Sequence, residues 1–269
     1  TLLSGYLWGF DRPHTADVIF RKFREFYKDG NLYFKMDVGG KEKEHKEICE
    51  KYGAEFSIQP MKVGRCGWMT HYEEWEDGDS EALKRACWPK ENAFTWMDSL
   101  YEAAKKCNSK YLIALEDDTF ILKPISIIKE DFDIAVVEYN CNEIHPYLLE
   151  FIDSIDGNTD LPINLFGNKG YGGQGGFIIN CETFVKGWNK LRPILNDRWD
   201  EIREQTHLIG WVDVLPQLAI MAVNGSVVWN KQLVQTWFDQ RPDLYPGHSN
   251  WKDYEIVDFL KDDEIIKSL

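Results

Sequence analysis

The chain has 269 residues, of which 43% are hydrophobic and 28% charged, a composition that suits one large α/β domain with a sizeable core. Its formal net charge of −14 leaves no basic stripe, which argues against a nucleic-acid partner and against an anionic membrane surface. A protein this acidic that holds an anionic small molecule needs a local positive charge, for which a metal ion is one candidate.

The first half alternates short apolar runs with amphipathic ones. LLSGYLW (2–8) reads as a strand, and Asp11-Arg12-Pro13 turns the chain into a helix to about Tyr27, with Val18, Ile19, Phe23 and Phe26 at helical spacing. LYFKMDV (32–38) is a second strand, KEKEHKEICEKYG a solvated helix that stops at Gly53, and AEFSIQP a third strand. A loop-rich stretch at 61–90 holds Trp68, Trp75 and Trp88. The helix ENAFTWMDSLYEAAKKC and the strand YLIAL follow. This β-α-β-α-β rhythm predicts an α/β fold with a mostly parallel, twisted sheet covered by helices on both faces. Ligands of such sheets sit beyond the carboxyl ends of the strands, where Asp37 and Glu116 fall.

The second half is less regular. IAVVEYN (134–140) reads as a strand, HPYLLEFIDSI as a helix and DGNTDLPINLFGNKG as a loop. FIIN is a short strand, ETFVKGWNKLRPIL and WVDVLPQLAIMAVNG are helices, and VVWNKQLVQTW is extended. With no repeat and no linker, residues 1–269 are expected to form one domain. No apolar run is long enough for a bilayer, and the chain begins at Thr1 without a signal peptide. That is compatible with the cytoplasm, or with a secretory lumen if an N-terminal anchor was removed. Six scattered cysteines without a C-x-x-C argue against zinc ribbons, and reduced thiols are the default.

Glu116, Asp117 and Asp118 follow YLIAL directly. Adjacent carboxylates at a strand end repel one another, and a divalent cation relieves that repulsion. Oxygen ligands suit Mg²⁺ or Mn²⁺. Alternate side chains share a face, so Glu116 and Asp118 can point one way and Asp117 the other. A solvated acidic turn is the plainer alternative.

LIALEDDTFILKP resembles the DxD region of GT-A-fold glycosyltransferases, in the EDD spelling of N-acetylglucosaminyltransferase I. The resemblance implies that Asp118 ligates Mn²⁺ (or Mg²⁺) bridging the two phosphates of a nucleotide sugar, with Asp117 and Glu116 at the ribose or supporting the site. It also implies a GT-A fold, with a Rossmann-like nucleotide-sugar-binding half (1–120) and an acceptor-binding, catalytic half (121–269). Asp37, in FKMDVGG, then either touches the nucleobase or ribose or serves as a turn residue beside Gly39-Gly40.

GYGGQGGFIIN (170–180) spells G-x-G-x-x-G with Gly170, Gly172 and Gly175. A dinucleotide loop must follow a strand and open a helix, whereas FIIN is strand-like, so that reading fails. The segment instead resembles the GGxG stretch of Fringe-like and β1,3-galactosyltransferase-like GT-A enzymes, which implies that Gly172, Gly173, Gly175 and Gly176 floor the donor and acceptor sites. Tyr171 and Gln174 would contact sugar. A tight turn entering FIIN is the structural alternative. In the resembling families the acceptor-activating acid opens a helix after this segment, which implies Asp213 as base and Trp211 as a stacking ring. A helix cap with a core Trp is the alternative. His248, in LYPGHSNW, matches a C-terminal His that closes the metal site.

The resemblance therefore implies an inverting, metal-dependent transferase that takes a nucleotide-sugar donor (UDP-sugar favoured) and a glycan or glycoconjugate acceptor. Retaining chemistry would dispense with Asp213. A calcium-dependent carbohydrate-binding module is the reading from another class, and the two separate on whether the nucleotide is bound.

Overall fold

The computed structural model describes residues 2–9, 12–59, 90–116, 121, 124–137, 142–164, 167, 169–171, 175–206 and 211–230, with Asn142, Trp211 and Val212 described by backbone alone. The helices are α1 (Pro13–Phe26), α2 (Glu42–Tyr52), α3 (Lys90–Lys106), α4 (Pro146–Asp153), α5 (Cys181–Thr206) and α6 (Trp211–Met221). The strands are β1 (Leu3–Gly9), β2 (Leu32–Met36), β3 (Ala54–Ile58), β4 (Tyr111–Leu115), β5 (Ile134–Val137), β6 (Asn142–Glu143), β7 (Gly170–Tyr171), β8 (Ile178–Asn180) and β9 (Val227–Asn230).

Seven strands form one sheet in the order β3-β2-β1-β4-β8-β5-β9. Pairing is parallel between β1 and β2, β1 and β4, β2 and β3, and β5 and β9. Only β8 runs against its two neighbours, β4 and β5. Six carboxyl ends therefore share one edge of the sheet, and the amino end of β8 joins them there.

All five residues of β4 are buried, as a strand covered on both faces requires. Tyr111, Ile113 and Leu115 point into a core with α1 residues Ile19, Phe20 and Phe23, while Leu112 and Ala114 point into a second core with α3, α5 and α6. The expected α/β fold with helices on both faces is observed.

Three local expectations change. The helix expected to stop near Leu195 runs on to Thr206, through Pro193. Proline removes one backbone bond and disfavours the preceding turn. Buried Trp188, Leu191, Leu195, Trp199, Ile202 and Thr206 recur at helical spacing, and their packing outweighs that cost. The strand expected at 134–140 is described only to Val137, with 138–141 outside the described residues. Gly170–Tyr171, read as part of a loop, pairs antiparallel with Asn142–Glu143, because a two-residue strand is defined by its partner rather than by its own sequence.

Candidate active site

The strand order places the site before any side chain is considered. The chain steps outward from β1 through β2 to β3 and returns to the other side of β1 with β4. The β1–β4 crevice is therefore a switch point, where parallel α/β sheets leave room for a ligand beyond the carboxyl ends. Glu116, half-buried, is the first residue past the end of β4. Asp117 and Asp118 continue it and lie outside the described residues. Arg12 precedes α1, three residues after the end of β1, and the sequence reading gave it no role in the site. Its cue was positional: a cation before Pro at a helix start, one loop after β1.

Asp37 follows β2 at the same edge and is 2% exposed. The Trp8 indole N–H donates to its Oδ1 at 3.1 Å. Its backbone N–H donates to the Gly9 carbonyl at 3.1 Å, and the Gly40 N–H closes a turn onto its own carbonyl at 3.2 Å. The turn role is thus present, and the carboxylate is also held in place at the β1–β2 edge. Trp8 was missed, since an indole reaching a carboxylate from a neighbouring strand leaves no local pattern.

The glycine segment enters the crevice from β8. The Gly176 N–H donates to the Ala114 carbonyl at 2.6 Å, and the Ala114 N–H donates to the Phe177 carbonyl at 3.0 Å. Ala114 lies two residues before Glu116, so Gly175 and Gly176, both buried, adjoin the acidic end of β4. Gly176 has φ 98°, a conformation that L side chains rarely adopt. Gly172, Gly173 and Gln174 lie outside the described residues. Among the described residues no helix opens at the glycines: β8 intervenes before α5 begins at Cys181, in agreement with the rejection of the dinucleotide reading.

Asp213 lies in the first turn of α6 and is half-buried. A helix amino terminus favours a carboxylate, but burial outweighs it and pushes the carboxyl up to about 7. Tyr171 neighbours it: burial first, and the Asp213 charge second, push that phenol up to about 12. Tyr171 is 4% exposed and packs in the core, a buried position where the sequence reading expected a sugar contact. One turn beyond Asp213, the buried Gln217 donates through Nε2 to the Gly170 carbonyl at 3.1 Å. That bond ties α6 to the start of the glycine segment, and Gln217 was also missed, because only the fold brings residues 170 and 217 together. The side chain of Trp211 and all of His248 lie outside the described residues.

The structure thus sets Gly176 against β4 and, separately, Gly170 and Tyr171 against α6, with Asp37 at the end of β2. Among the described residues no group of three or more His, Cys, Asp or Glu is arranged to hold a metal ion. Among them, too, no helix is long and apolar enough to cross a membrane.

No protein-family model matches the sequence, and no curated protein matches it. Some solved structures bear a loose likeness to the fold. The galactosyltransferase LgtC in complex with donor and acceptor sugar analogues is 13% identical, with a TM-score of 0.41 over 84% of this chain and 72% of that one. An active-site mutant of LgtC is 11% identical, with a TM-score of 0.42 over the same shares. Glucosyl-3-phosphoglycerate synthase from Mycobacterium tuberculosis, in complex with Mn²⁺, UDP and phosphoglyceric acid, is 10% identical, with a TM-score of 0.37 over 85% of this chain and 67% of that one. Scores of this size describe a loose likeness and carry no residue correspondence.

Proposed function

We propose that this chain is a metal-dependent GT-A glycosyltransferase, one domain in which residues 1–120 hold the nucleotide-sugar donor and 121–269 hold the acceptor. It moves a sugar from a nucleotide diphosphate sugar, UDP-sugar favoured, to a hydroxyl of a glycan or other acceptor, with inversion. The observation that carries this reading is the Gly176–Ala114 hydrogen bond, which sets the glycine segment against the strand that ends in Glu116. Through Gly170 and Tyr171 the same segment reaches Gln217 and Asp213.

Each part has work in such a reaction. Asp37, fixed by Trp8, receives the nucleobase or ribose at the edge of β2. Glu116 and Asp117 support the ribose side of the site. Asp118 and His248 would hold the divalent ion: consecutive carboxylates at a switch point suit a hard cation, and the imidazole is the softer of the two ligands. Such an ion, Mn²⁺ or Mg²⁺, supplies charge neutralisation for the departing nucleoside diphosphate. Arg12 and the amino end of α1, which follow β1, add positive character at the carboxyl edge of the sheet.

Glycines 172, 173, 175 and 176 leave a floor low enough for two sugars, with Gln174 and Trp211 as polar and stacking contacts. Asp213 takes the acceptor hydroxyl proton as that oxygen attacks the anomeric carbon from the face opposite the leaving group. A carboxyl held near 7 suits the task, because a base is most effective with a pKa near the working pH. A retaining transferase would not need Asp213 as a base.

The test is product stereochemistry. Proton NMR of the first product formed should show an anomeric configuration opposite to that of the donor. Retained configuration would remove Asp213 from its role and leave a retaining transferase.

A further inference from the structure

At the amino edge of the sheet, opposite the candidate site, an open cavity of about 610 Å³ is lined by Cys107, Cys181, Ser109, Lys105, Lys110 and Lys186. The backbone fixes both cysteines there. The Cys181 N–H, at the start of α5, donates to the Lys110 carbonyl at 3.0 Å, and Asn180 pairs with Tyr111 across β8 and β4. Cys107 follows α3, with its N–H on the Ala104 carbonyl at 3.3 Å and its Sγ 4.0 Å from the Tyr111 carbonyl.

The two thiols are near enough to influence each other's protonation. Ser4 and Ser109, whose hydroxyl oxygens are 2.6 Å apart, lie beside Cys107. Polar groups thus gather around one sulfur at the wall of an open cavity. The neighbouring Cys181 thiol is the largest influence holding Cys107 down to about 6, against the opposing effect of burial. Cys181 moves the other way, upward, because of the same neighbour and its own burial. By contrast, Cys49 is buried in the other core, and desolvation pushes it up to about 12.

We propose that Cys107 and Cys181 are a redox-responsive dithiol, oxidised to an intramolecular disulfide by small-molecule disulfides of the glutathione class. The Cys107 thiolate attacks one sulfur of the small disulfide. A mixed disulfide forms on Cys107, and one small thiolate leaves and takes up a proton. Cys181 then gives its proton to solvent and attacks the Cys107 sulfur. The protein disulfide forms and the second small thiol leaves. Two protein thiols are oxidised, and one small disulfide is reduced to two thiols. Lysines 105, 110 and 186 stand around the mouth, each paired with a surface carboxylate (Glu102, Asp131 and Glu182), and a disulfide that carries carboxylates competes with those exposed pairs. The product ties the end of α3 to the start of α5 and closes a long loop, so it acts on stability and leaves the opposite edge of the sheet untouched.

The experiment equilibrates the full chain with increasing oxidised glutathione, alkylates the remaining thiols and maps the peptides. In wild type, Cys107 and Cys181 should lose alkylation together and appear in one cross-linked peptide, and the melting temperature should rise by several degrees. Cys181→Ser should stop at a glutathione mixed disulfide on Cys107, and Cys107→Ser should leave Cys181 reduced. Phenylarsine oxide, which bridges two thiols within reach of each other, should bind wild type one to one and neither variant. The proposal is overturned if both cysteines stay alkylatable at concentrations that oxidise an ordinary dithiol. It is equally overturned if Cys107 pairs with another cysteine, or if the arsenical binds the single variants as well as wild type.

Discussion

The backbone N–H of Gly176 donates to the carbonyl of Ala114 at 2.6 Å, and this bond makes one site of two segments some sixty residues apart. Gly176 holds φ 98° to make it, where a Cβ is strained. Gly176→Ala should therefore cost about 1–2 kcal/mol locally and displace the segment from the end of β4. Transfer should fall by a larger factor than the loss of folding stability explains. Parallel measurement of kcat/KM and Tm checks this, and unchanged transfer would detach the glycine segment from the site.

Asp213 makes a prediction about rate and pH. Only its carboxylate can accept the acceptor proton. With its pKa at about 7, kcat/KM should climb about tenfold per pH unit on the acid side and level off above 7. Asp213→Asn should abolish transfer by about 10²-fold or more and remove that limb, while donor binding persists. A flat wild-type profile between pH 5 and 8 would contradict the assignment.

The same carboxyl makes a separate prediction about stability. An unfolded Asp titrates near about 3.9, whereas the folded one titrates at about 7. Between those values the native state holds the extra proton, so stability falls as pH rises from about 4 through about 7. Asp213→Asn removes this dependence. The variant should match wild type near pH 4 and melt higher above pH 7. Melting curves across that range decide it, and parallel curves for the two proteins would refute burial as the cause of the shift.

Gly187 predicts an effect of unusual sign. It lies inside α5, where helix propensity alone makes Gly→Ala stabilising by about 1 kcal/mol. A Cβ there would stand 2.0 Å from the Ala219 carbonyl oxygen of α6, the helix that carries Asp213. Gly187→Ala should destabilise by about 1–3 kcal/mol and lower activity, because α6 has to move. Denaturant unfolding measures it, and a stabilised variant would show that α5 and α6 do not approach this closely.

Much of the scaffold was legible. Strands β1, β2 and β4 are short, largely apolar runs closed by a Gly or an acid, and YLIAL announced a strand buried on both faces just before Glu116. The local pattern failed at Pro193, where packing of Trp199 and Ile202 carries the helix on. It found β8 in FIIN but was silent on that strand's antiparallel direction, which is a property of the sheet. It was equally silent on Trp8 and Gln217, whose partners are Asp37 and Gly170. Asp213 could be read as the acid opening a helix, but its raised pKa comes from surroundings assembled only by the fold.

The central claim is that the segment opened by Glu116 anchors a nucleotide-sugar donor through a divalent ion at the β1–β4 crevice. It is tested most directly by nucleoside diphosphate release from UDP-, GDP- and dTDP-sugars, with Mn²⁺ or with chelator, for wild type and Asp118→Ala. Release by wild type from one of these donors, lost with chelator and reduced by about 10²-fold or more in the variant, is the predicted result. An Asp118→Ala protein that transferred sugar at the wild-type rate without metal, or a wild type that neither bound nor cleaved any of the three donor classes, would contradict it.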